Sequence, residues 1–437
     1  MNDNNGISKL SVRKRKKPDT KPFDRFRVPP KQNLFLMPFI WLFCWLSTRS
    51  GRLKIKKTGM EGLKPPFLVL GSHHAFMDFY VTPLALFPYR ANYISELEGF
   101  EFFGETIYRQ VGCLGTRKFV NDIALVKNIK KVLDRKGILV IYPEARYANV
   151  GTNTDIPESV GKMAKNFGVP VVGINMHGNY LQSPIWNTKK RKGAVLEAEL
   201  VKLFSSEEIR NSSTDEINRK ISDFLTYDEY KWQLEKKMKI DFHQRAEGLH
   251  KALYRCINCN SDFSMNSCGA EIYCKKCGAR YFMNEYGQLL KNGRLFEYSH
   301  IPDWYEWQRQ CVHKEIEEGR YNLDADVHVE ALPNAVNFID CDSGKLRHDE
   351  HGFSLTFRNY GDVEEKTLAF PPLSTLSVHT EYDYRSMGQC IALSTLDNTY
   401  FLFPESEGFN ATKIQFATEY LYKRAQSLKK SHQTFNS

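Results

Sequence analysis

No apolar run in the 437-residue sequence is long enough to cross a bilayer as a helix. A spanning helix needs about 20 apolar residues, and the uncharged stretch LFLMPFIWLFCWL covers only residues 34–46 and contains Pro38. No small-residue cleavage site follows it, which argues against a secretory signal peptide. Its two tryptophans suit a membrane–water interface. We therefore predict an interfacial or re-entrant membrane anchor over residues 33–50; a buried core helix of a soluble domain is the alternative.

Several catalytic and nucleotide-binding motifs are also absent. The chain has no Gly-x-Ser-x-Gly elbow of a serine hydrolase, no Gly-rich phosphate loop and no dinucleotide-binding fingerprint. Its ten cysteines mostly stand alone and far apart, which excludes a disulfide scaffold and favours a reducing, cytoplasmic compartment. The length predicts two or three domains, and 42% hydrophobic with 26% charged residues is a globular balance.

The charge balance is basic, with 61 Lys and Arg against 51 Asp and Glu and a formal charge of +10. A basic run at residues 13–17 lies in a polar stretch, for which we predict a disordered tail over residues 1–32. Such a run is a solvated tail, an attraction to anionic lipid worth about 1 kcal/mol per basic residue, or a nucleic-acid contact. The apolar segment that follows, with more basic residues at 52–57, favours a peripheral or monotopic position on the cytoplasmic face of a membrane over nucleic-acid binding.

The middle of the chain alternates short apolar runs with helical patterns. Residues 67–71, 91–95, 137–142 and 169–175 are typical of buried strands, and residues 121–134 are typical of a helix. This alternation predicts an α/β domain over residues 51–245, in which a parallel or mixed sheet is flanked by helices. Its last part, with residues 214–255, is predicted to be a helical connector.

Beyond Tyr321 the pattern changes to period two, as in short antiparallel strands. We predict a mostly antiparallel β domain over residues 300–437, entered by a helix at 304–318 and closed by a helix from 411 to about 430. Strands closed by one helix resemble a pleckstrin-homology-like barrel, an analogy of fold alone. It implies a lipid platform, a partner-docking site or a purely structural unit.

The sequence GSHHAFMD at residues 71–78 contains the first candidate catalytic group. His73 and Asp78 are five residues apart, an offset that points them about 140° from each other on a helix but allows them to meet in a turn. The preceding apolar strand supplies such a turn, and ligand chemistry in α/β sheets gathers at the carboxyl ends of strands. A neutral imidazole can take a proton from a hydroxyl, and a buried carboxylate on its other nitrogen fixes the tautomer. His74 is the adjacent competitor, for which we predict packing or solvent contact.

Two further polar segments are candidates for holding a phosphate. YPEAR at residues 142–146 again follows an apolar strand, and Arg146 offers a planar cationic fork that Glu144 can orient. VGCLGTRKF at residues 111–119 contains Gly115 and Arg117, which allow backbone and cation to approach a phosphate. Taken alone, each segment is equally consistent with a surface loop and an ion pair.

In order and spacing, these segments resemble the four blocks of the glycerolipid acyltransferase family, the lysophosphatidic acid acyltransferases and their relatives, across about residues 51–203. The blocks are represented here by Ser72, His73, Ala75 and Asp78, by Gly112 to Arg117, by Tyr142 to Arg146, and by Val169, Pro170 and Gly178. The chain departs from the family pattern by lacking the Asn and Ser of the first block, by a second block one residue short and by a contracted third block.

The resemblance implies roles for these residues. His73 is the general base and Asp78 its partner, while Gly115, Arg117, Glu144 and Arg146 bind the glycerol phosphate. The implied reaction moves a fatty acyl group from acyl-coenzyme A or an acyl-carrier-protein thioester to the free hydroxyl of a lysophospholipid, 1-acylglycerol 3-phosphate, giving phosphatidic acid. The alternative hypothesis is a non-catalytic membrane adaptor that uses a degenerate acyltransferase fold to recruit protein partners.

Four cysteines form two knuckles, Cys256-x2-Cys259 and Cys274-x2-Cys277, separated by 14 residues. Thiolates in such pairs bind zinc tetrahedrally, so we predict a zinc ribbon over residues 250–285 with a structural Zn²⁺ ion. Two disulfides are the alternative. Four sulfur ligands leave no open position, so the ion is expected to be structural. Because ribbons contact proteins or nucleic acids, this module supports a partner-binding role, and DNA binding through the ribbon and the basic tail is the third hypothesis.

Overall fold

The computed structural model describes residues 19–101 and 103–435, and the basic run at 13–17 lies outside these residues. Helix α1 (Met37–Thr48) is twelve residues long, which corresponds to about 18 Å of rise. Pro38 lies in its first turn, where the missing N–H costs nothing, so it does not interrupt the helix. Within the described residues, no helix has the length and apolar character needed to span a membrane.

Helix α1 lies on the surface. It packs through Trp41 and Phe43 and leaves several large apolar side chains exposed (Leu34 and Phe35 just before it, then Phe39, Leu42, Trp45 and Leu46). The buried residues of α1 are Met37, Cys44 and Thr48. The alternative of a buried core helix is therefore wrong.

A seven-stranded mixed sheet forms the first core, in the order β1-β7-β6-β2-β5-β3-β4. All pairs are parallel except β6 with β7. Its strands are β1 (Lys54–Thr58), β2 (Phe67–Gly71), β3 (Ala91–Glu96), β4 (Cys113–Thr116), β5 (Ile138–Ile141), β6 (Val171–His177) and β7 (Glu197–Phe204). The helices are α2 (Asp78–Leu86), α3 (Gly104–Gln110), α4 (Ile123–Asp134), α5 (Ser159–Phe167), α6 (Asn179–Gln182), α7 (Ser206–Asn211), α8 (Thr214–Leu225) and α9 (Glu229–Glu235). The predicted mixed α/β sheet flanked by helices is thus confirmed.

Strand β2 lies in the middle of this sheet and is buried along its whole length, as expected of a parallel strand covered on both faces. Because β2 and β5 are parallel neighbours, the loops that follow them leave from the same edge. This topology brings residues 72–77 and 142–147 together. The predicted helical connector is shorter than expected, since its helices end at Glu235.

A five-stranded antiparallel sheet, in the order β12-β11-β10-β9-β8, follows the first cysteine knuckle, and the second knuckle lies between β9 and β10. It comprises β8 (Met265–Cys268), β9 (Glu271–Cys274), β10 (Arg280–Met283), β11 (Leu289–Lys291) and β12 (Arg294–Leu295), followed by helix α10 (Ile301–Glu317). Its apolar residues share one buried cluster with Trp304 of α10 and Phe416 of the last helix.

The C-terminal sheet has seven antiparallel strands in the order β16-β15-β14-β13-β19-β18-β17. These are β13 (Leu323–Leu332), β14 (Ile339–Asp349), β15 (Gly352–Phe357), β16 (Lys366–Phe370), β17 (His379–Glu381), β18 (Cys390–Ser394) and β19 (Thr399–Pro404), followed by α11 (Ala411–Phe435). The predicted antiparallel sheet followed by a helix is present. The strand pairing does not close into a barrel, because β16 and β17 are edge strands. Leu332, Ala392 and Phe401 share a buried cluster with Phe67 and Tyr142 of the first domain, so the two domains pack directly together.

Candidate active site

The loop after β2 brings His73 and Asp78 together. Nδ1 of His73 lies 2.9 Å from Oδ2 of Asp78. The same oxygen accepts the backbone N–H groups of His74 at 2.7 Å and Ala75 at 3.2 Å, and Asn179 Nδ2 donates to Oδ1 at 2.7 Å. Asp78 is fully buried and starts α2, where a carboxylate interacts favourably with the helix dipole. Four donors around one carboxylate hold it in a fixed orientation.

The ring of His73 is held between aromatic side chains. It stacks on Tyr142 with ring centroids 4.4 Å apart, and Tyr147 lies 4.6 Å away at a tilt. About 10% of the His73 side chain is exposed. Since Asp78 faces Nδ1, that nitrogen carries the proton and Nε2 is left with a free lone pair, a tautomer inferred from the hydrogen-bond partner. The arrangement can therefore act as a general base on a group that reaches Nε2.

The side chain of His74 packs inside the protein. It is fully buried, its Nε2 lies 2.9 Å from Ser72 Oγ, and its ring stacks on Tyr227 at 3.7 Å. Burial lowers the pKa of His74 well below its usual value, with His177 and His73 acting in the same direction. Of the two alternatives predicted for His74, packing or solvent contact, the structure shows packing.

Glu144 ties together the backbone around the site. Oε1 accepts the N–H of His73 at 3.0 Å, and Oε2 accepts the N–H of Thr154 at 2.8 Å and its hydroxyl at 3.3 Å. Burial raises the pKa of Glu144 to about 7, although these two backbone N–H groups act against that shift. Both carboxylate oxygens are thus occupied by the protein, so a contact of Glu144 with substrate stays a prediction.

Arg117 is engaged by the C-terminal domain. Its guanidinium donates to the carbonyl oxygens of Leu332 at 2.8 Å, Pro333 at 2.6 Å and Asp397 at 3.0 Å, and to Thr399 Oγ1 at 3.0 Å. Burial lowers the pKa of Arg117 to about 10, so it stays charged at neutral pH.

The surroundings of Arg117 are tightly packed. The cavity beside it measures about 10 Å³, around the smallest volume that holds one water molecule. A Cβ at Gly115 would lie 2.6 Å from Leu97 Cδ2 and 2.8 Å from Phe23 Cζ, so this glycine is required by packing. In this conformation neither residue faces a space that accepts a phosphate, and their assignment to substrate binding stays a prediction.

Arg146 is also held by the C-terminal domain. Its Nη1 donates to Ser377 Oγ at 2.7 Å and its Nη2 forms an ion pair with Glu419 Oε1 at 2.5 Å. The other oxygen of Glu419 pairs with Arg309 at 2.5 Å, and Ser377 Oγ donates to Glu419 at 2.9 Å. The next residue, Tyr147, contacts the ring of His73. Arg146 thus directly precedes a residue that contacts the ring of His73. Its charge is neutralised by Glu419 of the C-terminal domain.

Sequence reasoning missed several groups around the site. Glu229 is fully buried and accepts from His177 Nδ1 at 2.8 Å and from the N–H of Gly178 at 2.7 Å. Asn179, which orients Asp78, lies 101 residues away in the chain. His379 lies between Glu98 at 3.2 Å and Glu381 at 2.9 Å across the domain boundary. None belongs to a local motif, and no signal in one sequence marks them.

The four cysteines of the knuckles converge. The Sγ atoms of Cys256 and Cys277 are 3.7 Å apart, those of Cys259 and Cys274 are 3.8 Å apart, and all four lie within 4.8 Å of one another. Zinc–sulfur bonds of about 2.3 Å in a tetrahedron separate the sulfur atoms by about 3.8 Å, so the four thiols fit a zinc ion. These distances exceed the S–S bond of about 2.05 Å, and the cysteines are free, so the alternative of two disulfides is wrong.

Comparison with known proteins finds a family model and solved structures that are similar to part of this chain. Residues 54–177 match the family model described as Acyltransferase. The crystal structure of the 1-acyl-sn-glycerophosphate (LPA) acyltransferase PlsC from Thermotoga maritima is similar at 14% identity and a TM-score of 0.36, covering 46% of this chain and 80% of that chain. Comparison with curated protein sequences finds no significant match.

Proposed function

We propose that the protein, whose residues 54–177 match the acyltransferase family model, transfers a fatty acyl group from an acyl thioester to the free hydroxyl of a lysophospholipid, with 1-acylglycerol 3-phosphate as the acceptor. The observation that carries this proposal is the 2.9 Å contact between His73 Nδ1 and a fully buried Asp78. This contact leaves Nε2 as the base, held in a cage of aromatic rings.

In the proposed reaction, Nε2 of His73 takes the proton of the acceptor hydroxyl as its oxygen attacks the thioester carbonyl carbon. The carboxylate of Asp78 stabilises the imidazolium that forms. The tetrahedral intermediate then breaks its carbon–sulfur bond, and the imidazolium returns the proton to the departing thiolate. The products are an ester and a free thiol, and no covalent enzyme intermediate is required.

The proposal includes three further roles. Arg117 and Arg146 hold the acceptor's phosphate once their present partners release them. Helix α1, with its exposed apolar side chains, rests on a membrane surface. The four thiolates of Cys256, Cys259, Cys274 and Cys277 hold a structural zinc ion, which supplies no open position for catalysis.

The test is acyl transfer from radiolabelled acyl-coenzyme A, and in parallel from acyl-carrier protein, to lysophosphatidate by the purified full chain. His73→Ala is expected to abolish turnover with an unchanged melting temperature, and Asp78→Asn to lower it strongly. His351→Ala is the matched control, since His351 is exposed on the C-terminal sheet. Full activity in the folded His73→Ala variant would reject the assignment.

A non-catalytic membrane adaptor is the second candidate function. The observation that favours it is that the C-terminal domain binds the guanidinium groups of both arginines, and that the cavity beside Arg117 measures only about 10 Å³. For this candidate, the wild-type chain transfers no acyl group with either donor, whereas it still associates with anionic vesicles. Acyl transfer that depends on His73 rejects it.

A further inference from the structure

The C-terminal domain supplies a substitute anion at Arg146. Glu419 of α11 presents one carboxylate oxygen to Arg146, and the hydroxyl of Ser377 bonds both of them. We call Ser377 and Glu419 the clamp. A carboxylate and a hydroxyl offer the guanidinium the same kind of oxygen acceptors that a phosphate monoester offers. The clamp therefore fills the place that the proposed acceptor's phosphate needs.

The carboxylate of Glu419 stays ionised in the clamp, and it keeps a cationic partner when the clamp opens. Burial acts to raise the pKa of Glu419, but Arg146 and Arg309 outweigh it and lower this pKa to about 2. The second oxygen of Glu419 pairs with Arg309 at 2.5 Å. If an incoming phosphate takes Arg146, Glu419 keeps a cationic partner, so release does not leave a buried charge unpaired. Nε of Arg146, buried and without a hydrogen-bond partner, offers one more donor to such a ligand.

We propose that the clamp is an autoinhibitory contact, in which Glu419 competes with the acceptor's phosphate for Arg146. This inference rests on the proposed function, because it assigns a regulatory state to the same site. The carbonyl oxygens that accept hydrogen bonds from Arg117 belong to the same domain, so the C-terminal domain occupies the guanidinium groups of both arginines.

The experiment measures binding of radiolabelled glycerol 3-phosphate to the full chain by equilibrium dialysis, which does not depend on turnover. Glu419→Gln keeps the shape of the side chain but removes its charge, and it is expected to bind the probe at least fivefold more tightly than wild type. Ser377→Ala keeps Glu419 and is expected to show a smaller gain, which serves if Glu419→Gln does not fold. Glu306→Gln is the matched control, since it also removes the charge of a carboxylate that pairs with Arg309, at 2.8 Å.

The outcomes separate the clamp from the proposed function. Unchanged or weaker binding in a folded clamp variant, or an equal gain in the Glu306→Gln control, overturns the clamp even if the enzyme is active. Tighter binding without acyl transfer by any variant supports the clamp as a lock on an anion site and rejects the acyltransferase. Tighter binding with a lower KM for lysophosphatidate supports both.

A second observation lies on another face of the first domain. The segment before α1 runs across α3 and leaves a cleft of about 260 Å³. Its lining contains three cations and one carboxylate (Arg27, Lys31, Arg109 and Glu105), with Pro30, Thr106 and Gln110. Arg27 pairs with Glu105 at 2.6 Å and Arg109 donates to the Val28 carbonyl at 2.9 Å. The cleft thus keeps a surplus of positive charge.

The charge and the rim of this cleft fit a lipid headgroup. Partial burial is the largest cause of the lowered pKa of Arg109, and the like charge of neighbouring Arg27 lowers it further. Phe26, Val28 and Ile107, which are neighbours in sequence of Arg27 and Thr106 in the lining, are exposed. The N–H of Asn33 bonds the carbonyl of Gln110 at 2.8 Å, and exposed Leu34 and Phe35 follow at once, leading into α1. Positive charge therefore borders the apolar surface expected to meet the membrane.

We infer that this cleft binds the phosphate of an anionic phospholipid headgroup. The inference goes beyond the acyl-transfer reaction, but it uses the membrane position proposed for α1. It assigns Lys31 and Arg109 as the residues that contact the phosphate, because Arg27 is held by Glu105.

Sedimentation with vesicles tests it with the full chain. Phosphatidylcholine vesicles with and without phosphatidate are compared for wild type, Lys31→Gln, Arg109→Gln and the remote control Lys345→Gln. We expect the two cleft variants to lose most of the gain that phosphatidate gives and to keep the binding to phosphatidylcholine. An equal loss in the control overturns the cleft, as does wild-type binding that phosphatidate does not increase. Full competition by soluble inorganic phosphate identifies a free-phosphate site and overturns the lipid assignment.

Discussion

Asn179, at the start of α6, donates a 2.7 Å hydrogen bond to Oδ1 of Asp78, on the side of the carboxylate that does not face His73. Asn179 is fully buried, so this bond is not exchanged with water. The carboxylate is therefore fixed from the β6 side of the sheet as well as from its own loop, and Asn179 is a positioning residue for the proposed base.

Asn179→Ala is expected to lower kcat by about 10-fold or more while leaving KM nearly unchanged, because a hydrogen bond to a charged group contributes about 1.5–3 kcal/mol. The pH at which kcat reaches half its maximum should shift, since Asp78 would hold the imidazolium less firmly. Steady-state kinetics across pH measure both effects. An unchanged pH profile together with a lower melting temperature would instead indicate a structural role.

Glu144 makes conformational stability depend on pH. Its pKa rises from 4.5 to about 7 on folding, so from about pH 4.5 upward the unfolded chain loses this proton before the folded protein does. Its contribution is fully present below pH 4.5 and is lost as pH rises through 7, about 3 kcal/mol in all. Glu144→Gln should remove this part of the slope. The free energy of unfolding of both proteins, measured from pH 4 to 8, tests it, and parallel curves would contradict it.

Zinc removal is expected to destabilise helices α10 and α11 as well as the zinc ribbon. Cys256 and Cys274 belong to the same buried cluster as Trp304 and Phe416, so loosening the knuckles should disturb α10 and α11. The purified protein should contain an equimolar amount of zinc, and a chelator or Cys274→Ser should lower the melting temperature. The matched control is Cys268→Ser, an exposed cysteine outside the cluster of four. A metal-free protein that melts at the same temperature would contradict the zinc site.

Exposed side chains of α1 should drive membrane association. Burial of a large apolar side chain contributes about 1.5–3 kcal/mol, so replacing Phe39 and Leu42 by Ser together should lower partitioning to phosphatidylcholine vesicles by well over 10-fold. The control is Leu428→Ser, an exposed leucine on α11. If both variants lose equal amounts of binding, α1 is not the contact.

The parts that could be predicted from sequence depend on local patterns. Strand β2 is a buried apolar run that ends just before His73, so the turn and the pairing of His73 with Asp78 could be predicted from the sequence. Strand β1 was missed because KIKKT is exposed at all five positions and has no apolar pattern. Strand β4 was missed because its sequence, CLGT, is not a continuous apolar run.

The remainder depends on contacts between distant parts of the chain. Arg146 bonds Ser377, 231 residues away, and Arg117 bonds Leu332, 215 residues away. A motif can assign a charge to a phosphate, but it carries no information on which other domain packs over that charge. Tertiary packing alone determines whether a cation of the motif is open or closed.

Helix α2 begins with Asp78 and, two residues later, places Tyr80 against Phe43 of α1, with ring centroids 5.6 Å apart. The first turn of α2 therefore connects the surface helix α1 to the carboxylate that orients the imidazole of His73. If α1 rests on a lipid layer as proposed, lateral pressure or curvature that tilted α1 would act on Asp78 through Tyr80 and the first turn of α2.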